Sequence, residues 1–263
     1  MKILCCFKIV ADLDKVIERD WEAPMVPGPD FSYVRKIISC YDEACLETAL
    51  RIRDSAKSLG EEAELTAVTL GDGRGGDFFF RSLFALGFER IIHVKTEENL
   101  TFRPKKAVAM ILEAVKGKKY DVILCGSQAA DSQSGVSPWL LSRELKLPCV
   151  SNVTDAALTQ EGLKIRRKTE DGEMTAFVKV PAVYTVGESL HPYLRMASMK
   201  NIMDAGKRRP EIIELNENAG AENVFLESFA PKEASKECLF IEGDSMEEKA
   251  ENLIKLCPEV KKP

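Results

Sequence analysis

The chain has 263 residues, of which 45% are hydrophobic and 30% are charged, and its formal net charge at pH 7 is −5. This length allows one large domain, or one domain with an extension, and the composition is typical of a protein that buries a core. No apolar run approaches the roughly 20 residues of a membrane span. The negative net charge and the absence of a basic stretch with interleaved aromatic residues argue against nucleic acid as a partner. We therefore expect a globular protein that neither spans a membrane nor binds nucleic acid.

The cysteine pattern favours a reduced, cytoplasmic protein. The chain has eight cysteines and only two histidines, and no two cysteines form a C-x-x-C pair, so we expect no structural metal site. Cys5 and Cys6 lie in the apolar stretch KILCCFKIV (residues 2–10), which reads as a first strand rather than as a signal peptide. Because adjacent strand residues point to opposite faces, we expect both to be buried thiols rather than a disulfide.

The first half of the sequence alternates strands with helices. Asp42 is a plausible N-cap of the first helix and Gly60 a plausible residue just beyond its end. The predicted strands cover residues 2–10, 64–70, 90–95 and 122–125, and the predicted helices begin near residues 42, 77, 103 and 136. This alternation predicts a parallel sheet with crossover helices. Residues 11–40 read as a long connection.

The pattern changes to β after Pro148. Asp171-Gly172 lies between two alternating runs and predicts a hairpin turn. A short helix and an extended segment should follow residue 188, and residues 238–243 (CLFIEG) read as a late strand. Ser245 and Glu248 predict a capping box at the start of a terminal helix. The sequence leaves open whether this last part folds back on its own domain or embraces another chain.

The stretch around residues 120–148 is the strongest candidate for a binding site. The apolar run ending at Cys125 breaks at Gly126 into small and polar residues, and an apolar-periodic segment resumes at Val136. A loop at the carboxyl end of a parallel strand is where open α/β sheets bind ligands. Its backbone N–H groups can approach an anion at the next helix N-terminus. The alternative is an ordinary connection between a strand and a helix.

Two other patterns give weaker indications. Residues 71–76 (GDGRGG) satisfy G-x-G-x-x-G, but the strand RIIHVK that follows ends without the acidic residue of a dinucleotide site. We interpret this loop as a flexible segment near a nucleotide rather than as a classical NAD site. His93 and His191 are isolated, without the Ser, Cys or carboxylate partners of a nucleophilic site.

Several ordered pieces together resemble the β subunit of the electron transfer flavoprotein family. They run from residue 1 to about 210 and comprise CCFKIVAD, SCYDEACLETALRIRD, FALGFERIIHV, ILCGSQAADSQSG, IRRKTEDGEMTAFVKVPAVYTV and ASMKNIMDAGKRR. The resemblance implies an α/β fold with a Rossmann-like parallel sheet and crossover helices, a β-hairpin addition and an extended C-terminal arm. It divides the chain into a nucleotide-binding core, residues 1–190, and an arm, residues 191–263, that contacts the partner subunit.

The same resemblance implies cofactors and partners. The partner is an electron transfer flavoprotein α subunit, which holds the electron-transferring FAD, and a dehydrogenase can act as donor. The β subunit binds a second adenine nucleotide, AMP in one branch of the family and FAD in the branch that splits electron pairs from NADH. The sequence leaves open whether the nucleotide in this site is AMP or FAD. The implied nucleotide site comprises Cys6, Ser39, Cys40, Tyr41, Asp42, Leu70, Gly126, Ser127, Gln128, Ala129, Asp131, Ser132, Gln133, Ser134, Gly135 and Val136.

Roles follow for some of these residues. Gly126 would let the backbone approach the nucleotide, and Asp131, Ser132 and Ser134 would hydrogen-bond ribose or phosphate. Gly135 and Val136 would open a helix whose N-terminus faces phosphate. The loop from Asp131 to Gly135 is shorter than is usual in the family, which predicts missing or rearranged polar contacts.

Segment 189–198 (SLHPYLRMAS) replaces the family's L-N-E-P-R-Y-A-T, the region that presents a leucine to dehydrogenases. Leu190 or Leu194 would stand in for that leucine.

Two other classes of protein share parts of this sequence pattern. A universal-stress-type nucleotide-binding module shares the core fold but lacks the hairpin and long arm predicted after residue 150. An adenylate-forming enzyme would have a glycine-rich loop after its first strand, where this chain reads IVADLDK.

Overall fold

A nine-stranded sheet organises the larger part of the chain in the computed structural model, which describes residues 1–17, 20, 31–215 and 239–257. The chain divides into two compact units, Met1–Leu226 and Glu227–Pro263. The elements of the first unit are β1 (Lys2–Cys6), β2 (Ile9–Ala11), β3 (Lys36–Ile38), α1 (Cys40–Ser58), β4 (Glu64–Gly71), α2 (Gly76–Leu86), β5 (Arg90–Lys95), α3 (Pro104–Ala114), β6 (Val122–Gly126), α4 (Ser137–Leu145), β7 (Cys149–Thr159), β8 (Gly162–Thr169), β9 (Gly172–Val178), β10 (Ala182–Val186), α5 (Met199–Asp204) and β11 (Glu211–Glu214).

The strand order of the large sheet is β11-β5-β4-β1-β6-β10-β7-β8-β9. All neighbouring strands from β11 to β7 are parallel, whereas β7, β8 and β9 are antiparallel to one another. The short strands β2 and β3 form a separate antiparallel pair. The predicted α/β class with a largely parallel, Rossmann-like sheet is confirmed.

The direction of chain progression reverses at β1. From β1 the chain moves to β4 and β5 on one side, and it then returns to β6 on the other side. Helices α1 and α2 pack on one face of the sheet and α3 and α4 on the other, so the core has two layers. Successive residues of β1 alternate between them: Ile3 and Cys5 belong to the first layer, and Leu4 to the second, with Cys6 packed at its margin. This alternation separates the thiols of Cys5 and Cys6, as predicted.

Helix α1 begins earlier than the sequence suggested. Its N-cap is Ser39, so the prediction that Asp42 is the N-cap is wrong. Asp42 lies inside the first turn and is buried. It resembles a cap in the sequence because acidic residues also favour the first turn, where they face the positive end of the helix dipole. The predicted end is confirmed, since Gly60 follows the helix with a φ of 76°.

The predicted hairpin after Pro148 is also confirmed. Strands β8 and β9 pair from Leu163 opposite Val178 to Thr169 opposite Gly172, around the turn at Glu170-Asp171. Strand β10 then returns to the centre of the sheet, where it pairs with both β6 and β7. All five residues of β10 are buried, as expected for a strand that is covered on both faces.

The chain after β10 stays with the first unit. Arg195 bonds Glu47 of α1 through two guanidinium nitrogens and its backbone N–H, with distances from 2.6 to 3.1 Å. It also bonds Asp54 at 2.6 Å. Beyond α5, strand β11 pairs with β5 and becomes one edge of the sheet. The described core therefore continues past residue 190 to at least Glu214.

The described part of the second unit contains one helix, α6 (Met246–Leu256). Ser245 caps it by accepting a hydrogen bond from the backbone N–H of Glu248 at 3.1 Å. The Glu248 carboxylate accepts from the backbone N–H of Asp244 at 2.9 Å, one residue before the position used in a standard capping box. The prediction of a late strand is wrong for residues 239–243, which are not in a strand. A strand needs a paired neighbour, and the described residues of this unit provide none.

Candidate functional site

A cavity of about 460 Å³ lies at the carboxyl ends of β1, β4 and β6, next to the loops that follow β4, β5 and β6. This position is the topological switch point of the sheet, because β4 and β6 leave β1 on opposite sides. Loops that diverge from such a point leave a crevice between them, which is the usual ligand site of open α/β sheets. The fold therefore places a candidate site where the sequence predicted one.

Most of the predicted site residues border this cavity. Those in its wall are Cys6, Asp42, Leu70, Gly126, Gln128, Ala129, Asp131, Ser132, Ser134, Gly135 and Val136. Within the described residues, the wall does not include Ser39, Cys40, Tyr41, Ser127 or Gln133.

Two of the residues outside the wall hold the loop after β6 in position. The Ser39 hydroxyl accepts a hydrogen bond from the backbone N–H of Ala130 at 3.2 Å. The backbone N–H of Ser127 donates to the carbonyl oxygen of Val186 at 2.8 Å. These bonds tie the loop to α1 on one side and to β10 on the other. Ser39 and Ser127 therefore hold the loop in position without lining the cavity.

Asp42 joins three parts of the site through its buried carboxylate. One oxygen accepts from the backbone N–H of Lys8 at 2.9 Å, and the other accepts from the backbone N–H of Gly126 at 3.1 Å. Burial raises the pKa of this carboxyl group to about 7, although both hydrogen bonds and the charge of Lys8 oppose the rise. The same side chain thus fixes the ends of β1 and β6 against the start of α1.

The absence of a side chain at Gly126 allows this close approach. A Cβ at residue 126 would lie 2.3 Å from an Asp42 carboxylate oxygen and 3.1 Å from the Asp42 backbone nitrogen. The glycine therefore makes room for α1. Gly135 has a comparable local role, because its φ is 61° and a Cβ there would lie 2.8 Å from the carbonyl oxygen of Ser127. The predicted contacts of these glycines with a nucleotide remain predictions.

Lys8 and Asp131 form an ion pair in the cavity wall. The ammonium group of Lys8 lies 2.5 Å from the Asp131 carboxylate. Both side chains are partly exposed, at 33% and 25%. The pair ties the connection between β1 and β2 to the loop after β6 and offsets the charge of Asp131.

Two helices, α3 and α4, begin at the cavity wall without a side-chain cap. Pro104 of α3 and Ser137 of α4 line the wall, and neither helix has a side-chain hydrogen bond at its N-cap. First-turn N–H groups usually have no partner within their own helix, and the helix dipole makes this end positive. Helix α1 contributes only Asp42, whose backbone N–H donates to the carbonyl oxygen of Ser39 at 2.9 Å. The N-termini of α3 and α4 therefore favour an anionic group such as phosphate.

Sequence reasoning missed several parts of the wall, two of which are informative. One is the segment of residues 96–101 after β5, and the other is the cation Lys36 on β3. The position of β5 in a parallel sheet was a usable signal, because its carboxyl end faces the same edge as β4. Lys36 gave no such signal, since the connection that contains it has no regular period.

The glycine-rich loop after β4 reaches the cavity through Gly71 and Asp72. His93 lies beneath it, buried, with its Nε2 atom 2.9 Å from the carbonyl oxygen of Gly71. A Cβ at Gly73, whose φ is 78°, would lie 2.6 Å from the His93 ring. His93 is thus a packed residue under a loop that needs glycine.

The two leucines predicted to contact a partner differ in exposure. Leu190 is 51% exposed, whereas Leu194 is partly buried and packs against the core. The backbone N–H of Leu190 donates to the carbonyl oxygen of Thr154 at 3.0 Å. Leu190 is therefore the better placed of the two to meet another protein.

Thr69 of β4 is also part of the wall. Its side chain is buried, and its hydroxyl oxygen has no hydrogen-bond partner among the described residues.

Comparison with known proteins identifies the family of the chain. The model of the electron transfer flavoprotein domain matches residues 31–218. The chain belongs to the electron transfer flavoprotein family. One similar protein is the "Putative electron transfer flavoprotein subunit YgcR" of Escherichia coli (strain K12), which is 30% identical over 255 residues and covers 96% of both chains.

Membership of the electron transfer flavoprotein family supports a role in electron transfer and implies a partner subunit. Among the described residues, no helix combines the length and the apolar character needed to cross a membrane. The family assignment agrees with the resemblance that was drawn from the sequence motifs.

Proposed function

We propose that this chain is the β subunit of a heterodimeric electron transfer flavoprotein and that its cavity binds an adenine nucleotide, AMP or FAD. The observation on which the proposal rests is that the uncapped N-termini of α3 and α4 meet at one cavity, at the switch point of the sheet. Such an arrangement favours a phosphate group, and a nucleotide fits a crevice bordered by the ends of β1, β4 and β6.

The residues of the chain position the ligand rather than react with it. The N-terminus of α4 holds phosphate, while the Lys8–Asp131 pair and the Ser39–Ala130 bond keep the neighbouring loop in place. Asp42 fixes the ends of β1 and β6 relative to each other. The flavin supplies the redox chemistry when it is bound, and the protein sets its position and surroundings.

The partner is an α subunit that holds FAD, and electrons come from a dehydrogenase or from NADH and go on to downstream acceptors. The predicted arm, residues 191–263, is the segment that contacts the partner. In the second compact unit of the chain, Leu239 is 70% exposed and Phe240 is 85% exposed. Large apolar side chains that are this exposed are typical of interfaces. Exposed Leu190 is the candidate contact for a dehydrogenase.

Copurification tests this assignment. The full chain is expressed with a tag together with the gene beside its own, and the purified material is assayed for subunit composition and bound flavin. We expect one complex of two different subunits with the absorption spectrum of FAD. A stable homodimer that binds ATP and takes no flavin subunit would overturn the proposal in favour of a universal-stress-type nucleotide-binding module.

A further inference from the structure

Lys36 of β3 brings an unpaired positive charge to the cavity wall. Among the described residues, its ammonium group has no ion pair and no hydrogen bond. The residue is only partly buried, and its nitrogen is not one of the buried side-chain atoms that lack a partner. The ammonium group is therefore open to solvent at the cavity, where a ligand can approach it.

The acidic groups of the wall do not neutralise this charge. Three of them have another cation of the protein beside them, at 2.5 to 2.8 Å: Asp131 has Lys8, Asp72 has Arg74 and Glu98 has Lys106. The carboxylate of Asp42 accepts from two backbone N–H groups instead. Glu97 is exposed and has no ion pair among the described residues. Lys36 thus keeps a full positive charge that an anionic ligand can use.

The glycine-rich loop after β4 supports the Lys36 side chain at the edge of the cavity. A Cβ at Gly75 would lie 3.2 Å from the Lys36 Cγ atom and 3.4 Å from its Cβ atom. The φ of Gly75 is 72°, so this position favours glycine for its backbone as well. Gly71 and Asp72 of the same loop border the cavity. The loop therefore carries the stem of the lysine beside the cavity wall.

Lys36 approaches the cavity from a different side than α3 and α4. Its stem packs against Gly75, the N-cap of α2, and α2 covers one face of the sheet together with α1. Helices α3 and α4 cover the other face, and their N-termini offer N–H groups to an anion. A phosphate group at the strand ends would thus have N–H donors on one side and an ammonium group on the other, and charge-assisted contacts of this kind are strong.

We propose that Lys36 is a ligand-binding residue whose ammonium group forms an ion pair with a phosphate group of the nucleotide bound in this cavity. The inference rests on the proposed function. It adds a cation on β3 to the loop after β6, and it gives the glycine-rich loop the role of supporting that cation. Since lysine is positively charged and nucleotide phosphates are negatively charged at pH 7, the attraction applies to AMP and to FAD.

The test compares variants of the full chain, purified with its flavin-bearing partner, by titration with AMP and with FAD. Lys36→Met removes the charge and keeps a long, unbranched side chain on the glycine-rich loop. Lys164→Met is the matched control for net charge, because Lys164 is also a strand lysine without an ion pair among the described residues but does not border the cavity. Lys36→Arg keeps the positive charge.

We expect Lys36→Met to weaken binding of the preferred nucleotide about tenfold, and to make binding less sensitive to added salt, because one ion pair is lost. Its thermal stability without nucleotide should not fall, since the ammonium group has no partner in the described part of the protein. Lys36→Arg and Lys164→Met should both bind like the wild type.

Equal affinity of the wild type and Lys36→Met would overturn the role of Lys36 alone. An equal loss of affinity in Lys164→Met would also overturn it, because net charge would then explain the effect. A loss that leaves the salt dependence unchanged would contradict a direct ion pair. If the wild type binds neither AMP nor FAD, the proposed function fails and this inference fails with it.

Discussion

Asp42 shows how a single residue links helix geometry, strand ends and charge. Its carboxylate accepts backbone hydrogen bonds from Lys8 and from Gly126, and the second contact spans 84 positions of sequence. Burial raises its pKa from 3.8 to about 7, the nearby charge of Asp131 adds to the rise, and the charge of Lys8 opposes it. This side chain therefore makes the stability of the fold depend on pH.

The expected dependence follows from proton linkage. Because the pKa of Asp42 is higher in the folded state than in the unfolded state, the folded chain keeps a proton that the unfolded chain has released. The free energy of unfolding should therefore fall as the pH rises from about 4 to about 7, by up to about 1.4 kcal/mol per pH unit. Urea unfolding at a series of pH values measures it. Asp42→Asn should reduce this fall of the free energy of unfolding with pH. The same pH dependence in that variant as in the wild type would contradict the raised pKa of Asp42.

Gly126 illustrates the limit of residue-level prediction. A glycine directly after a buried strand predicts a turn into a candidate binding loop. The cavity borders this loop, as the sequence predicted. The sequence cannot show what occupies the space above it, because α1 comes from a segment 84 residues earlier. That contact explains the glycine through packing against Asp42.

At the scale of elements, local patterns predicted the first four parallel strands and their helices. The first strand is shorter than predicted, because it ends at Cys6 and residues 9–11 belong to a separate antiparallel pair. The run Val122–Cys125 and the turn at Asp171 each have a signal within a few residues, namely apolar character and turn chemistry. The place of β10 between β6 and β7, and of β11 beside β5, has no such signal. Strand order is decided by long-range pairing, and a stretch as short as Glu211–Glu214 does not encode its neighbour.

The segment after β10 is fixed to α1 by charge. Glu47 has a side chain only 7% exposed, and its partner Arg195 is 37% exposed. Removing one member of a buried pair leaves the other charge unpaired, at a cost of several kcal/mol. This ion pair therefore helps to hold residues 190–197 against the core, together with the hydrogen bond from Leu190 to Thr154 and the packing of Leu194.

We expect Arg195→Ala to lower the free energy of unfolding by about 3 kcal/mol, because it leaves Glu47 buried and unpaired. The control is Lys168→Ala, which removes an exposed pair with Glu188 and should lower the free energy of unfolding far less, because solvent screens such a pair. Chemical denaturation of the three proteins measures both. Equal losses in the two variants would show that Glu47 is not the buried partner that holds this segment.

At the scale of the whole molecule, the order of the strands in the sheet creates the site. The reversal at β1 brings together the ends of β1, β4 and β6, and the loops that follow them supply the wall. Sequence motifs located the loop after β6 and identified the family. They missed the segment of residues 96–101, Lys36 and Thr69, which belong to the site only through the folded sheet. The central claim is that this wall holds an adenine nucleotide of its own.

The most direct measurement of that claim is the nucleotide content of the purified complex. Denaturing the complex with acid and identifying the released molecules by chromatography and mass spectrometry counts nucleotides per pair of subunits. We predict an adenine nucleotide, AMP or a second FAD, beyond the FAD held by the α subunit. A complex that releases the FAD of its α subunit and no other nucleotide would contradict the account.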